Sequence, residues 1–229
     1  MVVAIAALAA TALLSAPSRS GSLLAPAEPA PTELASAKTL GSSGAPVTLD
    51  VYADFQCPNC KAYAEDVEPR IVNVYVRPGT ARIVFHDIAF LGKGSADKDE
   101  SLQAAVAARC AEDQGRFWPY QEYLFANQGA VENSGTYNRA FFDSIADRLS
   151  LDRTAFDKCL SDSARASAVK SDTSKAFAAG VKGTPTVFVN GKQLSSWGLS
   201  AISAAIDEAA SASPASSGAS LATPAASGR

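Results

Sequence analysis

The stretch Val47-Thr-Leu-Asp-Val-Tyr-Ala-Asp-Phe-Gln-Cys-Pro-Asn-Cys60 decides the fold. Its first seven residues are β-branched and apolar enough for a buried strand, and they run into two cysteines almost without a loop. A helical pattern follows: Cys60, Tyr63, Ala64, Val67, Ile71, Val74 and Tyr75 recur at spacings of three and four, with Lys61, Glu65, Asp66 and Arg70 on the other side. Pro58 suits a first helical position, because its missing N–H would have no partner there. Pro69 is expected to kink the helix. Pro78-Gly79 makes a turn, and residues 81–90 read as a second strand. Strand, helix and strand in this order predict a right-handed parallel crossover.

Downstream, between Asp97 and Gly180, the periodicity becomes helical. Leu102, Val106 and Cys110 share one face, and Phe117, Tyr120 and Leu124 follow. Phe141, Ile145 and Leu149 come next, then Phe156, Cys159 and Leu160. Val169, Thr173, Ala176 and Phe177 carry a last helix to Gly180, placed to end it. Thr186-Val-Phe-Val189 reads as a strand that turns at Asn190-Gly191 and continues to Trp197 as a hairpin. Ser200 is placed to cap a final helix with Ile202, Ala205, Ile206 and Ala209 facing inward. Residues 211–229 have the composition of a disordered tail.

Upstream, residues 1–16 form an uncharged apolar run of the length of a signal-peptide core, read as a signal peptide or a membrane anchor. Residues 17–46 are rich in Ala, Ser, Pro and Gly and read as a flexible linker. A chain of 229 residues with 47% hydrophobic content can bury one substantial core, and the formal net charge of −3 gives no reason to expect nucleic acid as a partner.

The paired cysteines can be a redox couple, half of a metal site, or buried side chains. Four cysteines and one histidine, with a single C-x-x-C, do not make a zinc site, so no metal is expected. At a helix start, Cys57 meets free backbone N–H groups and the positive end of the dipole, which favour a thiolate. Cys60, one turn on and more buried, is placed to resolve a mixed disulfide at Cys57. A free thiol titrates near about 8.5, and each unit by which a fold lowers that value is worth about 1.4 kcal/mol, or about 30 mV in a two-electron couple. Asn59, a neutral amide, adds hydrogen bonds but no positive charge.

Three motifs carry a resemblance: Tyr52-Ala-Asp-Phe-Gln-Cys-Pro-Asn-Cys60, the strand end Phe85-His-Asp87, and Val181-Lys-Gly-Thr-Pro-Thr-Val-Phe-Val-Asn-Gly191. In content and order the chain resembles the DsbA-like thiol:disulfide oxidoreductases of the thioredoxin superfamily. The resemblance implies an α/β thioredoxin fold over residues 47–210, a central mixed β-sheet flanked by helices, with an all-helical domain inserted at about residues 96–180. It implies that Cys57 attacks, that Cys60 resolves, that Pro58 and Asn59 tune the pair, and that Thr184-Pro185 is a cis bond presenting its backbone to a substrate strand. It further implies export to the periplasm or cell envelope, and cysteine-containing exported proteins as substrates. A quinone-linked membrane partner would reoxidise the pair, with no cofactor. The opposite direction, as a reductase or isomerase, stays open, as does a redox-inactive peptide-binding module.

Cys110 and Cys159 each fit an apolar helix face as inert core cysteines. An even count in an exported protein favours pairing, and the second disulfide of some DsbA-like proteins implies a structural bridge here. The chain also departs from the family pattern. Where many members carry a buried acid six residues before the first cysteine, this chain has Val51. Asp50 is expected on the opposite face, and Asp54 as a residue that solvates the strand end. His86 reads as a packed or exposed strand residue, and Phe117, Trp118, Tyr120, Tyr123 and Phe125 as core or groove wall.

Overall fold

In the computed structural model, which describes residues 22–212, the strands form one mixed sheet in the order β1-β2-β4-β3-β5-β6. They are β1 (Ala35–Ser36), β2 (Thr39–Leu40), β3 (Val47–Ala53), β4 (Ala81–Asp87), β5 (Thr186–Val189) and β6 (Lys192–Gln193). β3 runs parallel to β4, from Val47 opposite Ala81 to Ala53 opposite Asp87, and antiparallel to β5. Its alternation sets its central place. Val47, Leu49, Val51 and Ala53 are buried on one face, while Thr48, Asp50 and Tyr52 are half-buried on the other.

The β3 to β4 crossover is helical: α1 (Pro58–Ala62), a π-helical turn (Tyr63–Val67), α2 (Glu68–Ile71) and a second π-helical turn (Val72–Val76). Each π turn closes wider than an α turn and rotates the inward stripe. The periodic pattern therefore fails past Ile71: Val74, expected inside, is 58% exposed, whereas Val72 and Val76 are buried. Pro69 stands near the start of α2, directly after the first wide turn. A proline without an N–H fits such a break in the ladder.

Between β4 and β5 the chain inserts α3 (Glu100–Glu112), α4 (Phe117–Ala126), α5 (Arg139–Arg148), α6 (Arg153–Leu160) and α7 (Ser163–Ala178). Asp99, Asn138, Asp152 and Asp162 each cap a helix start by accepting a first-turn N–H. α3 is buried along most of its length and forms the hub of the insert. α8 (Leu199–Ala212) covers the sheet with Ile202 and Ile206 fully buried. It starts one residue before the expected cap Ser200, because the Gly198 carbonyl already accepts the Ile202 N–H at 3.1 Å.

Four boundaries differ from the sequence expectation, the first being the second strand, which ends at Asp87 and not at residue 90. The stretch read as a flexible linker is partly built into the sheet: Thr32–Leu34 form a helical turn, β1 and β2 pair, and β2 pairs antiparallel with β4, burying Leu40 completely. Two-residue strands leave little periodicity in an Ala- and Ser-rich segment. Gly41, at φ +117°, makes the link, since a Cβ there would stand 3.0 Å from the Ala81 carbonyl. The hairpin after β5 turns at Asn190 and Gly191, both with positive φ, and ends at Gln193, short of Trp197. Helix α8 runs through Ala212, past the expected start of the tail. The apolar run 1–16 and residues 213–229 lie outside the described residues. Among those described, no helix is long and apolar enough to cross a membrane.

Candidate active site

The end of β3, the start of α1 and the loop leading into β5 converge on Cys57. Cys57 is the residue before the first helical position, in extended conformation, and its carbonyl accepts the N–H groups of Cys60 (3.0 Å) and Lys61 (3.1 Å). Pro58 follows at the first turn. Across the site, the Cys57 thiol donates to the Thr184 carbonyl at 3.2 Å, and the Thr184-Pro185 bond is cis. Both Cys57 and Cys60 are free thiols, Cys57 6% exposed and Cys60 fully enclosed.

The two thiols are pushed apart in acidity. Hydrogen bonding from Cys60 is the main cause that draws the Cys57 thiol down, against its burial, to about 6. The Thr184 side chain and the N–H groups of Cys60 and Asn59 add to this. The Thr184 hydroxyl is buried without a partner while the Cys57 thiol donates to the neighbouring carbonyl. Once the thiol ionises, that hydroxyl is the donor free to turn to sulfur. Burial pushes Cys60 well above the ordinary thiol value, and the neighbouring Cys57 pushes it further. One sulfur is thus poised as a nucleophile and leaving group, while the other holds its proton.

A buried polar lacework that sequence reasoning missed holds this geometry. Asp54 does not solvate the strand end; it is fully buried. It accepts from Ser101 Oγ (2.7 Å) and from the N–H groups of Gln56 (2.9 Å), Phe90 (2.9 Å) and Leu91 (3.1 Å). Gln56 accepts the Asn133 N–H at 2.6 Å, and Gln128 donates to the carbonyls of Phe55 (2.7 Å) and Cys57 (3.1 Å). The Tyr137 hydroxyl lies 2.9 Å from the Phe55 carbonyl. Apart from the neighbouring Gln56 N–H and the Phe90 and Leu91 N–H groups of the loop after β4, these partners come from the insert, 47 to 82 residues away in sequence, so no local spacing announces them.

Asp50 lies on the half-buried face, turned from the buried stripe, and meets His86 at 2.8 Å; His86 stacks on Tyr52 with ring centroids 4.3 Å apart. Phe117, Trp118, Tyr120, Tyr123 and Phe125 are all buried in the main core. A 2.05 Å S–S bond joins Cys110 of α3 to Cys159 of α6.

The sequence model of the family described as Thioredoxin matches residues 35–208. Disulfide bond formation protein D of Bacillus subtilis is 29% identical over 155 residues, 67% of this chain and 67% of that protein. The oxidised crystal structure of BdbD from Bacillus subtilis superposes with a TM-score of 0.67 at 25% identity, covering 76% of this chain and 92% of that one. Wolbachia pipientis α-DsbA1 shares the fold with a TM-score of 0.66 at 22% identity, covering 76% and 90%. The family match over residues 35–208 and these likenesses, on a chain whose Cys57 and Cys60 lie together at a helix start, place it in the thioredoxin family, as a DsbA-like protein thiol:disulfide oxidoreductase.

Proposed function

We propose that the oxidised Cys57-Cys60 pair is donated to folding proteins outside the cytoplasm. A substrate thiolate attacks Cys57 Sγ, Cys60 leaves, and a mixed disulfide forms. A second substrate thiolate then attacks the substrate sulfur of that bond and expels Cys57. The substrate is oxidised, and its two electrons stay on the cysteine pair. The observation that carries this reading is the Cys57 thiol drawn down to about 6, because a lower value makes Cys57 the better leaving group and the pair the stronger oxidant. An extended substrate segment would pair with the Thr184 backbone beside the thiol, as in strand addition.

Reoxidation requires an acceptor of two electrons, for which a quinone-linked membrane partner is the fitting class. The Cys110–Cys159 bond supports an oxidising compartment, since structural disulfides persist there and are rare in the cytosol. The apolar run 1–16 supports the same location as an export leader or anchor. Equilibrating the pair in graded glutathione buffers tests the direction. A potential above about −200 mV is expected, whereas one near about −270 mV makes the protein a reductase. Cys57→Ser should abolish exchange with a reduced, unfolded substrate; retained exchange removes the assignment.

A further inference from the structure

Residues 22–30 lie over the crossover helix without regular secondary structure and are held at two points. At one end the Leu24 N–H donates to Asn127 Oδ1 at 2.8 Å, and Asn127 Nδ2 donates back to the Leu24 carbonyl at 2.9 Å. At the other end the Ala30 N–H donates to Glu122 Oε1 at 2.5 Å. Among the described residues nothing hydrogen-bonds residues 25–29 to the helices, and Pro26 and Pro29 have no N–H to offer. Leu23 and Ala30 pack on the core, while Leu24 is 64% exposed.

Under this segment lies a cavity of about 480 Å³, open between it, the crossover helix and α4. A span pinned at its ends over a hollow has few contacts to lose, so it opens at low cost. The charges around the hollow are one-sided. Glu28 comes from the segment itself, Glu65, Asp66 and Glu68 from the helix, and Glu122 from α4, against Arg77 alone. Lys61 holds Glu65 at 2.6 Å, and Arg77 reaches out to Glu33 at 3.5 Å.

Among the described residues, the other elements packed here bring no free base. α8, which meets α2, carries only Asp207 and Glu208 as charges. On α3, Arg109 is bonded to Asp87 and Asp172. On α5, Arg139 is bonded to Asp143 and Asp157, and Arg148 to the Tyr123 hydroxyl. The carboxyl groups of the cavity therefore face one another with little to offset their charge once they ionise.

We propose that residues 22–30 are a strap that docks in acid and is freed as the pH rises, released by repulsion among the carboxyl groups of the cavity beneath it. Strap release needs no redox step and is independent of the reading of the cysteine pair. Freed, its nine residues make a tether that spans up to about 30 Å, close behind the apolar run read as a leader or anchor.

The acidities set the direction. Burial raises Glu122 to about 7, against the bond from the Ala30 N–H. Burial, then the charge of Glu122, pushes Glu68 up to about 8, against the bond from Gln121. An ionised Glu122 is the better acceptor for Ala30, yet its raised value shows that burial outweighs that one bond. Lifting the segment returns water to Glu122, whose value then falls toward the ordinary carboxyl range. Docking is thus strongest below that range, weakens as pH climbs from there to about 7, and feels the charge of Glu68 up to about 8.

Amide hydrogen exchange of the full-length protein, with labelling times scaled to intrinsic exchange at pH 5, 7 and 8.5, reads docking in peptides covering residues 22–30. In the wild type the protection of Leu24 and Ala30 should fall at least about tenfold from pH 5 to pH 8.5, while β3 peptides keep theirs. Glu122→Gln keeps an acceptor for Ala30 but cannot ionise, and its protection should change by less than about threefold. Asn127→Ala removes the other anchor and should leave residues 22–30 unprotected at every pH. Wild-type protection that is equal at pH 5 and pH 8.5, or that falls as far in Glu122→Gln as in the wild type, overturns the inference. Protection retained in Asn127→Ala overturns it too, as does β3 protection lost together with that of the segment, which marks global opening.

Discussion

Cys57 draws its acidity from neighbours that differ in kind: a sulfur one turn along the helix, backbone N–H groups at the helix start, and the Thr184 hydroxyl from a loop 127 residues away. Only the last can be removed without touching the helix. Thr184→Val keeps the shape and deletes the donor, so the thiolate loses one hydrogen bond and the pH midpoint of Cys57 alkylation should move up from about 6 by as much as about one unit. Iodoacetamide labelling across pH 4–9, read by mass spectrometry, checks it, and an unmoved midpoint would show that Thr184 contributes only its carbonyl. At the same scale, Asp54 looked from sequence like a solvated strand end. It is instead a buried acceptor with four donors, because its partners arrive from the insert and from the loop after β4. A single letter shows an acid; its burial depends on what folds over it.

Elements divide in a similar way. β3, β4, β5 and the insert helices followed the periodicity of their apolar residues, because a 7-residue alternation or several helical turns average over local accidents. The β1–β2 pair was invisible, since two-residue strands carry too few side chains to show a period, and its stability comes from pairing with β4. The π turns were equally hidden: they conform to no simple repeat, and they move Val74 outside and Glu68 inside. The bond joining α3 to α6 spans 49 residues, and closing such a loop restricts the unfolded chain by about 4 kcal/mol in the entropy model. Cys110→Ala with Cys159→Ala should therefore lower the unfolding free energy by about 2–4 kcal/mol in urea titrations, while the Cys57 alkylation midpoint stays in place. A variant as stable as the parent would show that the helices pack fully without the bond.

For the whole molecule, redox state and pH are coupled through the pair. The Cys57 thiol has a depressed value in the reduced fold. Its stabilisation is therefore present above the ordinary thiol range and is lost as pH falls through about 6. Cys60 acts in the opposite sense, as its raised value costs stability once pH passes the ordinary thiol range. Between pH 6 and about 8.5 the first effect dominates, and the oxidised form has neither thiol. The unfolding free energy of the reduced form should accordingly gain on that of the oxidised form across this window, with Cys110–Cys159 intact in both. Glu68 and Glu122, held protonated by burial, lower the stability of both forms as pH rises through about 7 and 8, so they cancel in the difference. A difference flat from pH 6 to 8.5 would mean that the Cys57 thiol is not acidified by the fold.

The sequence by itself determined the cysteine pair, the strand that presents it, the order of sheet and helical insert, and the proline loop opposite the cysteines. Those features are written in residue types whose backbone and side-chain chemistry acts over a few positions. Tertiary structure alone decided which carboxyl groups are buried, where the sheet begins, and what stands behind Cys60. Desolvation and hydrogen-bond partnership belong to groups brought together from distant parts of the chain, and the acidity of a thiol or a glutamate is set by that company.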